Sequence, residues 1–194
     1  MHRRLVLDVE LINRRREILE AAIEIIASEG YSKLTLRALA RKSRLKLGAL
    51  QYYFPTWSDL ITELAEFVSE EYRHAFEQTK GSAEEPNLRD IVNFNLDDPP
   101  GSRLHSSRLF PQLWAMAQIE PALKSALDDI YGAYYERMKK SLREAGNLNP
   151  EIDGLLLMSL LEGSTLFVDS PHPWAEHREA FKKRVLEWLD AGSQ

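Results

Sequence analysis

The chain has 194 residues, 44% of them apolar and 28% charged, with a formal net charge of −5 and no cysteine. That length buries one good core, or a small domain fused to a larger one, and no apolar run of about eighteen residues offers a bilayer span. Without cysteine there are no disulfides or thiolate metal sites, and the apolar patch at 5–7 is cut short by Asp8 and Glu10, unlike a signal peptide, so a soluble cytoplasmic protein is expected.

Helical periodicity runs along nearly the whole chain, and no stretch alternates as a strand does. Residues 13–28 place Ile18, Leu19, Ala22, Ile23, Ile25 and Ile26 on one face at helical spacing. Glu29 and Gly30 end that helix, glycine being suited to the left-handed conformation just past a helix end. After a short link at 31–34, Thr35 reads as an N-cap whose hydroxyl accepts from an amide of the next turn. A second helix covers about 36–42, a turn 43–45 and a third helix about 46–53, which Pro55 stops. Thr56 or Ser58 caps a fourth helix through Leu60, Leu64, Phe67, Val68 and Tyr72. Residues 81–87 form a loop, and 88–96 a helix with Ile91, Val92 and Phe94. Two prolines and a glycine break the chain at 97–102. A helix at 103–119 contains Pro111, which either kinks it or marks a late start. Pro121 opens the next helix in the favoured first-turn position, and that helix runs to 146. Two more, at about 150–168 and 174–191, flank a proline-rich link. The total is about nine helices, with no internal repeat.

Charge is unevenly spread. Residues 1–57 hold eleven Lys/Arg against six Asp/Glu, a balance of +5, whereas 58–194 balance at −10. A basic module on an acidic body gathers phosphates where an evenly acidic surface would repel them. The competing reading is a chance surface fluctuation. Residues 35–53 have the short helix, tight turn and second helix of a helix-turn-helix, whose second helix lies in the major groove. Ala40 is small enough for close helix approach, and Leu45 and Leu50 anchor the third helix. Lys46, Leu47, Gly48, Ala49, Gln51 and Tyr52 remain outward. Gln51 suits an adenine edge, Lys46 a guanine edge or a phosphate, and Leu47 or Ala49 a thymine methyl. Gly48 allows close backbone approach, and Arg37 is a candidate for guanine. Thr35, Arg44 and Tyr53 are placed for phosphates, which fix register without carrying sequence information. The bland alternative is an ordinary solvated helix pair.

These residues carry a family resemblance. The run from Arg16 to Ile61 resembles the DNA-binding domain of TetR-type transcriptional regulators. It does so through Glu29-Gly30-Tyr31, Thr35 to Ala40, Gly48-Ala49-Leu50, Tyr53-Phe54-Pro55 and Asp59-Leu60. The match covers about the first third of the chain, and several spacings agree at once. It departs where Gln51 replaces a customary phosphate-binding tyrosine and Trp57 a lysine. Ala49 stands for a common threonine, and Arg44 for a glycine. Lys46, Arg44 and the arm residues Arg3, Arg4, Arg14, Arg15 and Arg16 are the candidates to replace the two lost anchors.

The resemblance implies an all-α chain with a three-helix helix-turn-helix domain at 1–57 and a helical ligand-binding and dimerisation domain at 58–194. The apolar run at 155–161 and the last helix supply a candidate two-fold interface through Leu156, Leu160, Gly163, Phe181, Val185 and Trp188. Alternatively these helices complete a monomer core. A homodimer would set two recognition helices about 34–36 Å apart, one turn of DNA. Phe94, Phe110, Trp114, Met116, Tyr131, Tyr134, Tyr135 and Phe167 are candidates to line a pocket for a small organic ligand, or else are plain core. No cofactor or metal is expected. The five histidines lack zinc-site spacing (His172 and His177 flank a proline turn), and there is no phosphate loop or nucleophile elbow, so an enzyme is not expected. The reading is a ligand-responsive repressor that binds a palindromic operator as a dimer. Its rival is a helical ligand-binding or interaction protein with a degenerate DNA-binding head.

Overall fold

A computed structural model describes residues 2–78, 87–97, 106–168 and 172–191. Within them are nine α-helices, two single-turn 3-10 helices and no strand. Helix α1 spans His2–Glu29 and begins well before the expected residue 13. The described buried face of α1 starts at Ile18, yet no proline or glycine interrupts residues 2–29, so the helix is not broken ahead of it. Ile18, Ala22, Ile23, Ile25 and Ile26 are buried, as the periodicity predicts.

Gly30 then takes φ 89° and ψ 158°, a backbone state in which a side chain is strained. A 3-10 turn at Tyr31–Lys33 follows. Thr35 caps α2 (Leu36–Lys42), its Oγ1 accepting from the Ala38 amide at 3.1 Å. The turn is closed by Ser43 N to Leu39 O and Leu45 N to Ala40 O, both 2.8 Å. Arg44 occupies the left-handed region at φ 56°, where the resemblance leads one to expect glycine. Helix α3 is Leu47–Tyr53, and α4 is Trp57–Gln78. Thr56 and Asp59 cap α4 reciprocally: the Asp59 amide donates to Thr56 Oγ1 at 3.1 Å and the Thr56 amide to Asp59 Oδ2 at 3.0 Å. Thr56, and not Ser58, is therefore the cap.

Helix α5 (Leu88–Leu96) opens on a capping box between Asn87 and Asp90. Helix α6, Ser106–Ala117, keeps Pro111 inside it; residues 103–105 of the expected helix lie outside the described ones. Pro111 has no N–H to offer the carbonyl one turn back, but the helix runs through it. Helix α7 is Pro121–Glu144, followed by Gly146 at φ 83°. Helix α8 is Pro150–Phe167, with Val168 as its C-cap. The last segment starts later than expected, since Ala175–His177 form a 3-10 turn before α9, Arg178–Ala191.

Packing divides the chain into two compact units, one of Met1–Glu70 with Leu104–Leu127 and one of Glu71–Arg103 with Asp128–Gln194. In the first, α1 packs against α2 and α6, and Leu39, Leu50, Phe54, Leu60 and Leu64 are fully buried. In the second, Ile91, Val92 and Leu96 of α5 meet Tyr134, Met138 and Leu142 of α7, Leu157 and Leu161 of α8, and Val185 and Leu189 of α9. Gly154 lets α8 approach α7, since a Cβ there would stand 3.3 Å from the Tyr135 ring.

One group in the first unit is unsatisfied. The Ser43 hydroxyl is buried and has no hydrogen-bond partner. An unpaired buried hydroxyl costs on the order of 1–3 kcal/mol, so Ser43→Ala should leave stability unchanged or raise it by about 1 kcal/mol in a denaturant titration. A clear loss would show that the hydroxyl has a partner.

Candidate nucleic-acid interface

Seven residues are too few for a helix to persist by itself in water, so α3 is held by what it buries. Leu50 and the following Phe54 are fully enclosed, and Leu39 and Ala40 of α2 are buried beside the turn. Everything else on α3 faces outward. Lys46, Gly48, Ala49 and Gln51 are exposed, Tyr52 is 71% exposed, and Leu47 and Tyr53 are half-buried. The Tyr52 and Tyr53 rings meet edge to face at 5.5 Å. Thr35, Arg37 and Arg44 are exposed as well. The ten residues expected at DNA thus share one short stretch of α2, turn and α3, and eight of them are exposed to solvent. Among the described residues, Arg37, Arg44 and Lys46 take part in no ion pair, which leaves their charge available to phosphates. A Cβ built on Gly48 meets nothing within 4 Å, so no neighbour within the protein requires glycine there.

The arm arginines do something else. Arg14 donates to the Ser43 carbonyl at 2.8 Å and pairs with Glu17, tying α1 to the α2–α3 turn. Arg15 pairs with Glu63 and lies over the Phe54 ring at 5.5 Å. Arg16 bonds Glu20 at 3.1 Å and covers Phe67 at 5.4 Å. These contacts tie α1 to the α2–α3 turn and to α4. The side chains of Arg3 and Arg4 lie outside the described ones.

Trp57, the other departure, is also spoken for. Its indole Nε1 donates to Glu120 Oε1 at 3.1 Å, and the Tyr31 hydroxyl donates to the same oxygen at 2.5 Å. The Tyr31 and Trp57 rings stand 6.4 Å apart, and the Tyr31 amide donates to Gln112 Oε1 at 3.3 Å. One carboxylate between α6 and α7 therefore holds both ends of the helix-turn-helix: the link before α2 and the start of α4. Nothing in the sequence singled out Glu120; its place beside the aromatic pair is legible only in three dimensions. Burial, then the bond to Glu120, pushes the Tyr31 hydroxyl from its ordinary 10.0 up to about 12.

The candidate pocket residues fall in both units. Phe94, Tyr131 and Tyr134 come together in the second unit. Phe110 and Met116 are buried within the first unit, and Trp114, on the same helix, is 43% exposed. Tyr135 packs on Gly154, with its hydroxyl donating to the Glu151 carbonyl at 3.1 Å, and exposed Phe167 leans on Trp174. Of the candidate interface residues, Leu156, Leu160 and Trp188 are exposed, and Gly163 and Phe181 half-buried. Val185 is 3% exposed and belongs to the core of the second unit, so it offers no surface to a partner. His177 lies 3.7 Å from Glu176, and no group of three or more His, Asp or Glu side chains could hold a metal among the described residues.

Comparison with known proteins agrees with this geometry. The sequence model of the bacterial regulatory proteins of the tetR family matches residues 18–64, from the buried face of α1 into α4. Over that segment the chain is similar to the tetR family. Its relatives include the HTH-type transcriptional regulator BetI of Escherichia coli, 27% identical over 182 residues, or 84% of this chain and 91% of that protein. A TetR-family regulator from Rhodococcus sp. superposes with a TM-score of 0.74 at 20% identity, over 94% of this chain and all of that one. A transcriptional regulator from Saccharomonospora viridis, solved with choline, gives 0.75 at 18% identity, over 91% and 95% of the two chains. The relatives and neighbours named here are transcriptional regulators.

Two measurements test the head. Replacing Gly48 with Ala removes a helix-interior glycine and should stabilise the fold by about 0.5–1 kcal/mol, while weakening DNA binding tenfold or more; unchanged DNA affinity would remove Gly48 from the interface. The Tyr31 hydroxyl bond stabilises the fold fully below pH 10 and is lost as pH climbs toward about 12. Melting temperatures across that window should fall more steeply for the wild type than for Tyr31→Phe.

Proposed function

We propose that the chain is a ligand-responsive repressor that binds a palindromic operator as a homodimer in the cytoplasm. Residues 1–57 serve as the DNA-binding domain and 58–194 as the ligand-binding and dimerisation domain. The observation that carries the reading is the outward face of α3 and its flanks, where cations and Tyr52 are exposed without intrachain ion pairs. Thr35, Arg44 and Tyr53 serve phosphates; Arg37, Lys46 and Gln51 serve base edges, with Leu47 and Ala49 against apolar ones. Gly48 admits the backbone to the groove, and Tyr52 supplies further contact area.

Dimerisation is supported by an apolar stripe on α8. Ile152, Leu155, Leu156 (56% exposed) and Leu160 recur at helical spacing, and Gly163 continues the same face. On α9, Trp188 is 41% exposed and Phe181 half-buried. A contiguous apolar surface of this kind marks an interaction site, and a second copy meets it with an identical face. A dimer doubles the cationic footprint and fixes the spacing of two recognition helices.

A small organic ligand is supported by the choline held by the Saccharomonospora viridis neighbour, and by the cluster of Phe94, Tyr131 and Tyr134. Such a ligand acts as an inducer only by favouring the arrangement in which the two recognition helices no longer match the operator.

Fluorescence anisotropy on labelled DNA flanking the chain's own gene tests the proposal. Affinity should fall steeply and log-linearly with salt, with a slope of about −0.9 per phosphate contact. Light scattering should give twice the 22.3 kDa chain mass. The double variant Leu156→Glu, Leu160→Glu should be monomeric and bind the operator at least tenfold more weakly. Retention of a dimer by that variant would move the interface elsewhere, and no operator binding by the wild type would leave the degenerate-head reading standing.

A further inference from the structure

Between Glu29 and Asp59 the chain carries six Lys/Arg and no acidic residue. Lys42 pairs with Glu24 of α1, so its charge is taken. Arg37, Arg44 and Lys46 belong to the outward face already described. Two exposed cations of the stretch remain, Lys33 and Arg41, and neither has an ion pair among the described residues. Arg41 stands in the last turn of α2, where the helix carbonyls themselves favour a cation. Lys33 ends a three-residue 3-10 turn and has no such local partner.

The backbone that carries Lys33 is braced on both sides. Gly30 turns the chain at φ 89°, and the Lys33 amide donates back to its carbonyl at 3.1 Å. Tyr31 gives its hydroxyl to Glu120 and its amide to Gln112. Leu34 is 4% exposed, and its amide closes the turn onto the Tyr31 carbonyl at 2.9 Å. Thr35 then caps α2 through the Ala38 amide. With Tyr31 half-buried and Leu34 buried, Ser32 and Lys33 are the exposed residues of this link. A cation on a loose loop loses contact energy to ordering, whereas here only the side chain is left to order. Its ammonium is a compact point charge, which suits a phosphate and needs no fixed orientation. The first helix of a helix-turn-helix crosses the DNA backbone while the second enters the groove, so a cation just ahead of α2 is suited to the strand and not to base edges.

We propose that Lys33, on this braced turn, anchors a phosphate of the DNA strand beside the groove that α3 enters. This rests on the reading of α2, the turn and α3 as the DNA interface, and it extends that interface into the link before α2. In the sequence Lys33 passes for a solvated charge in a short link. What distinguishes it is the bracing by Tyr31, Leu34 and Thr35 together with the absence of any acid to occupy it.

The test uses the full chain and two labelled duplexes, the one flanking the chain's own gene and a shuffled duplex of equal length. Anisotropy is read across a salt series. Lys33→Gln should weaken both duplexes by the same factor, since phosphates carry no sequence information. The slope of log affinity against log salt should shrink by about 0.9 for each Lys33 in the complex, or about 1.8 for two copies. The loss is then roughly tenfold larger at about 50 mM than at about 200 mM salt. Lys33→Arg should keep the wild-type slope. Lys42→Gln should keep it too, because Glu24 already holds that charge. An unchanged slope for Lys33→Gln, whatever its melting temperature, would make Lys33 a solvated or structural residue and overturn the proposal. A loss confined to the flanking duplex would make it a base contact, and an equal change in Lys42→Gln would reduce it to net charge; each overturns the proposal as well. Failure of the wild type to prefer the flanking duplex removes the operator reading alone, and the shuffled duplex still decides the Lys33 contact.

Discussion

A recognition helix of seven residues cannot fold on its own, and much of the first unit exists to hold it. Leu50 and Phe54 are its only fully enclosed anchors, and each is set by a neighbour that the α1 arginines secure. Arg14 grips the Ser43 carbonyl in the turn, and Arg15 lies over Phe54 while pairing with Glu63. Individually such partly exposed pairs contribute little, roughly 0–1 kcal/mol. Their value here is geometric: they tie α1 to the turn before α3 and to Phe54 just after it.

The same economy explains two departures from the family pattern. Trp57 takes the place of a customary lysine, and it is turned to Glu120 together with Tyr31, so a residue expected at phosphate works as an internal strut. Arg44 holds a backbone conformation that glycine would adopt at less cost, and in exchange an exposed cation stands at the turn. The basic balance of the first 57 residues is therefore misleading as a count of DNA contacts. Arg14, Arg15, Arg16 and Lys42 are paired within the unit, whereas Arg37, Arg44 and Lys46 stand exposed and, among the described residues, unpaired on α2, the turn and α3.

Much of this was legible in the sequence, and the exceptions share a cause. Signals that act along the chain were readable: the Thr35 cap, the proline at the head of α7, the bounds of α2 and α5, and the buried face of α1. Signals that need a partner from elsewhere were not. Arg14, Arg15 and Arg16 read as a free basic arm until Ser43, Glu63 and Phe67 are seen beside them. Val185 reads as interface until it is found in the core of the second unit. Periodicity also ran short at the start of α1, where Leu5, Val6, Leu7, Val9, Leu11 and Ile12 alternate with charged residues without a clear helical stripe. Glu120 escaped notice because it gains its meaning from aromatic groups distant in sequence.

The central claim is that two copies of the α3 outer face read one operator from adjacent turns of DNA. Hydroxyl-radical footprinting of the DNA flanking the chain's own gene addresses it directly. The account predicts two protected patches on one face of the duplex, about 10 base pairs apart centre to centre or a multiple of that spacing, with Gln51→Ala weakening both equally. Protection of a single patch, or protection that survives loss of the α3 side chains, would contradict it.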